Sequence, residues 1–275
     1  MGQLDGKVVF VTGAARGQGR SHAVRLAQEG ADVIAVDVCR QVETVPYPTA
    51  TSDDLEGTVR QVEALGRRIV AAEIDVRDLA GLKKTVDAAV DELGRLDIVL
   101  ANAGISVPAP TLEMSEETWS TMIDINLTGV WKTCAAAVPH VVAGGRGGSV
   151  VLTSSLAALK ANANTAHYTA AKAGLVGLMR VLALELAPHN IRVNTVHPTA
   201  VATEMILNEP TYKLFRPDLE SPTRADFEEA AFTLNKLPIA ALEASDVTDA
   251  VLYLVGDSGR YVTGTTHVVD AGGQL

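Results

Sequence analysis

The sequence predicts an α/β fold, specifically a Rossmann-type doubly wound parallel sheet of about seven strands with helices on both faces. Short β-branched runs alternate with helical patterns along all 275 residues. Most of these runs are continuously apolar, as expected of strands that are buried on both faces of a parallel sheet. Because no linker or internal repeat interrupts the alternation, we predict one dinucleotide-binding domain over residues 1–275.

The elements follow one another regularly along the chain. Ser52, Ser115 and Ser245 each precede a helical pattern and predict an N-cap, and Gly30 and Gly66 are placed to close helices. The strand candidates are VVFVTG (8–13), DVIAVD (32–37), IVAAEIDV (69–76), DIVLANAG (97–104), GSVVLTSS (148–155), IRVNTVHP (191–198) and THVVDAGG (266–273).

Composition excludes several classes of function. The formal net charge of −10 disfavours nucleic acid and anionic membranes as partners, since both attract basic patches. No apolar run approaches the ~18 residues of a transmembrane helix, and MGQLDGK does not resemble an export signal. Two cysteines are too few for a disulfide framework, and the six histidines show no metal-ligand spacing. We therefore predict a cytoplasmic protein without a metal.

A glycine-rich loop joins the first strand candidate to the first helix. Its candidate phosphate-binding residues are Gly13, Arg16, Gly17, Gln18 and Gly19. Glycines permit a tight turn and a close approach to a pyrophosphate, and the following helix N-terminus offers unpaired N–H groups. The alternative is a glycine turn that serves packing alone.

A carboxylate ends the second strand candidate, 18 residues after the loop. Asp37 there is placed to accept both hydroxyls of an adenosine ribose and to repel a 2′-phosphate, which favours NAD over NADP. Arg16 favours a 2′-phosphate, but we expect it to contact surface carboxylates instead. An aspartate that only serves the turn is the alternative for Asp37. Val38 and Cys39 follow directly and join the predicted nucleotide site.

Two further strand ends face the same nucleotide. Asp75 and Val76 are predicted to hold the adenine, and the small residues of Asn102-Ala103-Gly104 allow the backbone to lie close to a ribose.

A tyrosine and a lysine form the predicted catalytic pair. Tyr168 and Lys172 lie in HYTAAKAGLVGLMRVLALELA, a strongly helical segment, so they share one face one turn apart. A phenol has a pKa near ~10, and about 4 kcal/mol of preferential stabilisation of its anion would bring it to ~7. A lysine ammonium and an oxidised nicotinamide both favour the anion. We predict that Tyr168 accepts the proton of an alcohol while hydride leaves for the cofactor.

Two polar residues complete the predicted catalytic set. Ser155, at the end of the fifth strand candidate, suits orienting the substrate oxygen. Asn126 lies inside a helix predicted over residues 115–133, and its amide is expected to hold a water that links Lys172 to solvent. A Y-x-x-x-K pair alone is more often a surface pair, but its conjunction with the glycine loop and strand-end residues favours catalysis.

These motifs resemble the short-chain dehydrogenase/reductase family over nearly the whole chain. The resemblance rests on TGAARGQG, NAG, Asn126, Ser155 and Tyr168-x-x-x-Lys172. It implies the catalytic roles given above, NAD as cofactor and a homotetramer. It also implies that Val201 and Thr203 contact the nicotinamide carboxamide. The family usually has Pro-Gly where this chain has Pro198-Thr199, and a threonine does not readily adopt a positive φ.

An insertion, VCRQVETVPYPTAT, occupies residues 38–51. Together with Thr199 it resembles the mycofactocin-coupled, carveol-dehydrogenase-like branch of the family. That resemblance implies a nucleotide that stays bound between turnovers and passes its electrons to the carrier mycofactocin. We expect the insertion to fold over the adenosine end of NAD, with Val42, Val45 and Tyr47 excluding water. A subunit contact, or no role, is the alternative.

Residues 204–242 interrupt the strand–helix rhythm and predict a substrate lid. Its apolar residues Met205, Ile206, Leu207 and Phe215 favour a hydrophobic substrate; a surface excursion without a role is the alternative. We predict an oxidoreductase that oxidises a secondary alcohol with tightly bound NAD. Free exchange of NAD(P)(H) in the same family, or a non-catalytic nucleotide-binding protein, are the other two hypotheses.

Overall fold

The computed structural model describes residues 2–275 and confirms the predicted fold. These residues form one sheet of seven parallel strands in the order β3-β2-β1-β4-β5-β6-β7. The strands are β1 (Val8–Thr12), β2 (Asp32–Asp37), β3 (Ile69–Glu73), β4 (Ile98–Ala101), β5 (Gly148–Thr153), β6 (Ile191–Pro198) and β7 (Thr266–Val269). Strand order reverses between β1 and β4, which opens a crevice at their carboxyl ends.

Helices cover both faces of this sheet and extend beyond its carboxyl edge. A π-helical turn, Asp124–Thr128, joins two of them without a break. The α-helices are α1 (Gly17–Gln28), α2 (Ser52–Glu63), α3 (Leu79–Leu93), α4 (Glu116–Ile123), α5 (Gly129–Gly144), α6 (Ala166–Leu186), α7 (Glu209–Phe215), α8 (Arg224–Ala231) and α9 (Ala244–Val255).

Two apolar layers hold the sheet between the helices. One layer contains residues of α1, α2 and α9, and the other contains residues of α3, α5 and α6. Val9 and Val11 of β1 pack into the first layer, whereas Val8 and Phe10 pack into the second. Successive side chains of a strand point to opposite faces, so a strand covered on both faces has no polar positions. This explains the continuous apolar runs of the sequence.

Several predicted boundaries were wrong by a few residues. Ser115 caps α4 as predicted, by accepting a hydrogen bond from the Thr118 N–H at 3.1 Å. The caps of α2 and α9 lie earlier, at Thr51 and Glu243 rather than at Ser52 and Ser245, because an aspartate three residues later completes a capping box in each case. The strand candidates at 69–76 and 97–104 end at Glu73 and Ala101, where the chain turns along the crevice.

The part of the chain that the structure describes, residues 2–275, also limits the possible chemistry. No helix there is long and apolar enough to cross a membrane. No group of three or more His, Cys, Asp and Glu residues there is arranged to hold a metal ion. Cys39 and Cys134 are free thiols.

A buried histidine between α1 and α9 makes the fold sensitive to acid. The His22 Nδ1 lies 2.8 Å from the Thr248 hydroxyl oxygen, which donates its own proton to the Ala244 carbonyl, so Nδ1–H is the donor to Thr248. Burial lowers the pKa of His22 from 6.5 to about 4. The unfolded chain therefore binds a proton at a pH where the folded chain does not, and stability falls as the pH falls through this window.

We expect wild-type protein to lose up to about 3 kcal/mol of unfolding free energy from this group between pH 6.5 and pH 4, at about 1.36 kcal/mol per unit. Urea unfolding at a series of pH values measures it. His22→Asn retains a donor near the Nδ1 position and does not titrate, so its stability should fall less over the same window. Parallel pH curves for the two proteins would show that His22 does not cause the acid sensitivity.

Candidate active site

A cleft at the crevice brings most of the predicted nucleotide-binding residues together. Cys39, Tyr168, Lys172 and Val201 lie outside its lining. Val201 is 4% exposed, packs in the first apolar layer and forms a β-bridge with Leu242. The predicted residues that line the cleft are Gly13, Arg16, Gly17, Gln18, Gly19, Asp37, Val38, Asp75, Val76, Asn102, Ala103, Gly104 and Thr203.

Glycine is required at two positions of the loop after β1. Gly13 and Gly17 have φ of 67° and 54°, in the left-handed region that favours glycine. A Cβ on Gly13 would also lie 2.8 Å from the Ala103 Cα, so the loop can approach the β4 end only without a side chain there. The first turn of α1 consequently points its N–H groups at the cleft, where they can bind a pyrophosphate.

Asp37 lies at the end of β2 in the adenosine end of the cleft. Its Oδ2 accepts a hydrogen bond from the Ala15 N–H at 2.9 Å, and its Oδ1 accepts one from the Val38 N–H at 2.8 Å. Burial raises the pKa of this carboxyl, and these N–H groups and Arg16 oppose the rise. The Cys39 N–H also donates to this carboxylate, and of its roughly four lone-pair sites at least one remains for a ribose hydroxyl. The carboxylate thus serves the turn and remains able to bind a ribose.

Asp75 and Asn102 make structural bonds that the sequence did not predict. Hydrogen bonds from Arg77 hold the pKa of Asp75 below its ordinary value although burial raises it. The Asn102 Nδ2 donates to the Thr12 carbonyl at 3.1 Å, and its Oδ1 accepts from the Thr153 hydroxyl at 3.3 Å. Asn102 therefore joins the carboxyl ends of β1, β4 and β5, and thereby fixes the floor of the cleft.

The insertion at residues 38–51 is held together by one side chain, that of Gln41. The two protons of its Nε2 are shared among the carbonyls of Val42 (3.1 Å), Val45 (2.9 Å) and Tyr47 (3.3 Å). Its Oε1 accepts from the Thr49 N–H at 3.2 Å. An amide with these partners replaces the main-chain hydrogen bonds that a helix or strand would supply. The insertion is therefore ordered by its own contacts.

Three contacts fix the insertion across the cleft. The Arg16 Nη2 donates to the Pro48 carbonyl at 2.6 Å, which corrects the expectation that Arg16 contacts surface carboxylates. The exposed Arg40 pairs with Asp75 at 3.1 Å. The Tyr47 hydroxyl accepts a hydrogen bond from the Ser106 N–H at 3.2 Å, beyond the end of β4. The sequence predicted that the insertion covers only the adenosine end of a bound nucleotide. The contact of Tyr47 with Ser106 shows that the insertion extends further along the cleft.

Tyr47 brings the insertion to the predicted catalytic tyrosine. Burial raises the pKa of its phenol to about 12, and the neighbouring Tyr168 adds to the rise. Tyr168 and Met205 pack against one apolar cluster, formed by Val42, Val45, Tyr47, Val76, Ile105, Met122 and Ile125. The wall of the cleft next to Tyr168 is therefore apolar.

Tyr168 and Lys172 lie one turn apart on α6, as predicted. The Lys172 Nζ lies 5.6 Å from the centre of the Tyr168 ring and donates to the Thr153 carbonyl at 2.8 Å. The lysine is 3% exposed, and burial lowers its pKa to about 8. Gly104 permits this arrangement, since a Cβ there would lie 2.8 Å from the Asn126 Oδ1 and 3.4 Å from the Lys172 Nζ.

Ser155 is the hydrogen-bonding neighbour of Tyr168. Burial raises the pKa of the Tyr168 phenol, and the hydrogen bond with Ser155 opposes the rise. In the protein alone the phenol therefore stays protonated at neutral pH. Activation to the anion requires positive charge, which the Lys172 ammonium and an oxidised nicotinamide would supply.

Asn126 lies in the π-helical turn between α4 and α5, which the sequence did not predict. It is fully buried, and its amide pairs with the Ile105 peptide: Oδ1 accepts the N–H at 2.9 Å and Nδ2 donates to the carbonyl at 2.8 Å. A π-turn often marks a functional site. The amide fixes the segment after β4, and its predicted part in a water path to Lys172 remains a prediction.

The lid region contains its own small apolar core. The Phe215 and Tyr212 rings lie 4.9 and 5.6 Å from the ring of Phe227, which is fully buried. Phe215 therefore packs on Phe227 within the lid and is not among the residues that line the cleft. Met205 lines the cleft. Apolar composition alone did not show that Phe215 packs inside the lid whereas Met205 lines the cleft.

Thr199 fits without the positive φ that a glycine at this position would allow. The non-glycine residues with positive φ are Cys39, Asn164, Asn190 and Ala271. The Thr199 N–H donates to the Val269 carbonyl at 3.1 Å, and its hydroxyl donates to the Asn235 Oδ1 at 3.3 Å. The departure from Pro-Gly thus ties the end of β6 to the end of the lid.

Comparisons with known proteins agree with this geometry. A sequence profile described as short chain dehydrogenase matches residues 7–212. The (-)-trans-carveol dehydrogenase of Rhodococcus erythropolis is 58% identical over 276 residues, covering 100% of both chains. Carveol dehydrogenase from Mycobacterium avium in complex with NAD superposes with a TM-score of 0.98, 55% identity and 99% coverage of both chains. A short chain dehydrogenase from Mycobacterium paratuberculosis bound to NAD has a TM-score of 0.92, 44% identity and 99% coverage of both.

Proposed function

The chain belongs to the short-chain dehydrogenase/reductase family, and we propose that it oxidises an apolar secondary alcohol with NAD that stays in the cleft between turnovers. One observation carries the proposal. The Tyr168 side chain lies beside Ser155 and one helical turn from Lys172, and it packs against an apolar wall to which the insertion contributes.

The cleft fits NAD by the chemistry of its residues. The N–H groups at the start of α1 suit the pyrophosphate, and Gly13 keeps the loop close to them. The Asp37 carboxylate suits an unsubstituted ribose and repels a 2′-phosphate. Arg16, which would attract a 2′-phosphate, donates to Pro48 instead. The M. avium and M. paratuberculosis relatives, both solved with NAD, support the same choice.

Side chains of the protein orient the alcohol and accept its proton. Bound NAD would accept a hydride from the alcohol carbon. Ser155 orients the alcohol oxygen, and Tyr168 accepts its proton once positive charge nearby has lowered the pKa of the phenol. Lys172 uses one of its three donors on Thr153 and has two left for the nicotinamide ribose. Asn126 holds the segment beside them through Ile105, and Thr203 contributes to the cleft lining.

The substrate we propose is an alcohol of the carveol type. The cluster around Tyr168 is apolar, and Met205 extends it towards the lid. An apolar wall with few polar groups binds a hydrophobic body and leaves its hydroxyl as the only group to be oriented. The name of the R. erythropolis relative, (-)-trans-carveol dehydrogenase, supports this class.

We further propose that the nucleotide is reoxidised in place by an external carrier such as mycofactocin. The insertion, ordered by Gln41 and fixed to Arg16 and Ser106, crosses the cleft and obstructs exit of a nucleotide. Slow release would make exchange with free NAD a poor route for turnover. An external acceptor removes that limit because the reduced nucleotide need not leave.

The assembly we propose is a cytoplasmic homotetramer of one dinucleotide-binding domain per chain, with the insertion at 38–51 and a lid at about 204–242. Exposed apolar side chains on α4, α5, α6 and α9 support subunit contacts: Trp119, Trp131, Val181, Leu184 and Tyr253. Two free thiols agree with a reducing compartment. Sedimentation equilibrium would measure the mass of the assembly, and a monomer would contradict it.

The function is tested by turnover of a panel of apolar secondary alcohols with the protein as purified. We expect little steady turnover with added NAD alone, and multiple turnovers when an artificial electron acceptor is supplied. Turnover that follows added NAD and ignores the acceptor would favour an enzyme of this family with freely exchanging cofactor. No alcohol oxidation under either condition would favour a non-catalytic nucleotide-binding protein.

A further inference from the structure

A histidine on β6, His197, contacts the main-chain carbonyl of the predicted catalytic serine, Ser155. His197 is fully buried; its Nδ1 lies 3.0 Å from the Ser155 carbonyl oxygen and its Nε2 lies 2.8 Å from the Thr195 hydroxyl. A carbonyl oxygen only accepts, so Nδ1 carries the proton. The Nε2 lone pair then accepts the Thr195 hydroxyl proton at 2.8 Å, in preference to that hydroxyl's longer contact with the Thr265 carbonyl at 3.4 Å. Two partners thus select one neutral tautomer of the imidazole.

This contact lies where the pairing between β5 and β6 ends. The Ser154 N–H donates to the Val196 carbonyl at 2.9 Å, which continues the main-chain pairing of β5 with β6. At the next residue, Ser155, the carbonyl accepts from the His197 imidazole instead of from a main-chain N–H. The Ser155 carbonyl also accepts the Ala158 N–H at 3.0 Å, in the short turn at Leu156–Ala158. Ser155 is therefore held in an extended conformation, with φ −165° and ψ 158°.

The orientation of Ser155 determines what its hydroxyl can do. The Ser155 Oγ accepts the Ala157 N–H at 3.1 Å, and its hydrogen bond to Tyr168 lowers the pKa of the phenol against the effect of burial. A hydrogen bond contributes fully only at short distance and good angle. A small rotation of the Ser155 peptide would therefore weaken the bond that favours the Tyr168 anion.

We propose that His197 is a positioning residue that holds Ser155 in the orientation from which its hydroxyl serves Tyr168. This inference rests on the proposed function, in which Tyr168 accepts the alcohol proton. His197 is separated from the alcohol by Ser155 and acts through it.

The imidazole stays neutral in the working range. Burial lowers the pKa of His197 and the Lys172 charge lowers it further, while the bond to Ser155 opposes both. The titratable groups facing this set are Lys172 and Tyr168 on α6 and Tyr47 of the insertion, and the pKa of Tyr47 is raised to about 12. His197 therefore remains neutral over the pH range in which Tyr168 and Lys172 change charge.

The test compares two replacements of His197. His197→Asn places an amide N–H near the Nδ1 position and keeps the donor, whereas His197→Leu removes it. For the leucine variant we expect kcat to fall about 10-fold and the acid limb of the kcat/KM profile to move up by about one pH unit. The asparagine variant should stay within about threefold of wild type. Nucleotide content should be unchanged in both.

A second readout follows the phenol itself. The absorbance of tyrosinate, measured against pH as the difference from Tyr168→Phe, should move upward in His197→Leu and stay near wild type in His197→Asn. Equal shifts in both variants, or none in either, would overturn the inference. If His197→Leu does not fold, Thr195→Val replaces it in the test, because this substitution removes the hydrogen-bond partner of the His197 Nε2. A smaller upward shift of the tyrosinate titration in Thr195→Val supports the inference, and an unchanged titration overturns it. Full activity in Tyr168→Phe would instead overturn the proposed function.

Discussion

Tyr168→Phe should reduce alcohol oxidation by about 10³-fold, the scale expected for loss of a general base. The substitution removes the hydroxyl that accepts the alcohol proton but keeps the ring, which packs against the apolar cluster of Val42, Tyr47 and Ile105. Nucleotide content and thermal stability should therefore stay close to wild type. The measurement is kcat under saturating alcohol and electron acceptor, with the nucleotide quantified in the denatured supernatant.

Tyr253→Phe is the matched control for that variant. Tyr253 lies on α9, is 39% exposed and stacks on His267 with ring centres 5.8 Å apart, away from the cleft. It should retain wild-type turnover. Unchanged turnover in Tyr168→Phe would show that another group takes the proton and would remove the basis of the enzymatic mechanism.

Gln41→Ala should increase the rate of NAD release by about 10- to 100-fold. The two protons of its amide nitrogen are shared among three carbonyls, its oxygen accepts from Thr49, and a full hydrogen bond contributes about 0.5–1.5 kcal/mol net. Without them the insertion loses the contacts that order it over the cleft. The rate is measured by diluting protein loaded with labelled NAD into unlabelled NAD and following the label that remains bound.

Gln61→Ala, an exposed position on α2, is the control and should release NAD at the wild-type rate. Tyr47→Phe removes only the acceptor for the Ser106 N–H and should accelerate release less than Gln41→Ala does. If wild type and Gln41→Ala release NAD equally fast, the insertion does not retain the nucleotide, although the assignment of Tyr168 would stand.

The sheet was predictable because its signals are local. Each strand candidate is an apolar run, since residues such as Val9 and Phe10 are buried on opposite faces. The glycine loop and Asp37 were predictable for a related reason, because strand ends in a parallel sheet converge at one edge. The Tyr168–Lys172 spacing follows from helical periodicity alone. Patterns of this kind need no knowledge of distant contacts.

Contacts between distant segments were not predictable. Tyr47 reaches Ser106 across 59 positions, and no periodicity connects the two. Nothing in the sequence around Asn126 predicts the π-turn, or that the Asn126 amide pairs with the Ile105 peptide, 21 positions away. Phe215 was one of four apolar lid residues taken to favour a hydrophobic substrate, and its packing against Phe227 could not be predicted from composition.

The predicted N-caps of α2 and α9 were wrong for a simpler reason, which α2 illustrates. Thr51 and Ser52 are adjacent and both suit an N-cap, and the choice depends on which one has an acidic residue three positions later. Asp54 supplies it for Thr51, whose hydroxyl accepts the Asp54 N–H. This signal was present in the sequence, so the boundary could have been placed correctly.

The most direct test is a single-turnover measurement on the protein as purified, with no nucleotide added. An apolar secondary alcohol should raise the absorbance at about 340 nm by an amount that matches the nucleotide found in the denatured supernatant, at a rate that falls about 10³-fold in Tyr168→Phe. An absorbance change that appears only after free NAD is supplied would contradict retention of the nucleotide. No change with any alcohol, in protein shown to contain NAD, would contradict the reaction itself.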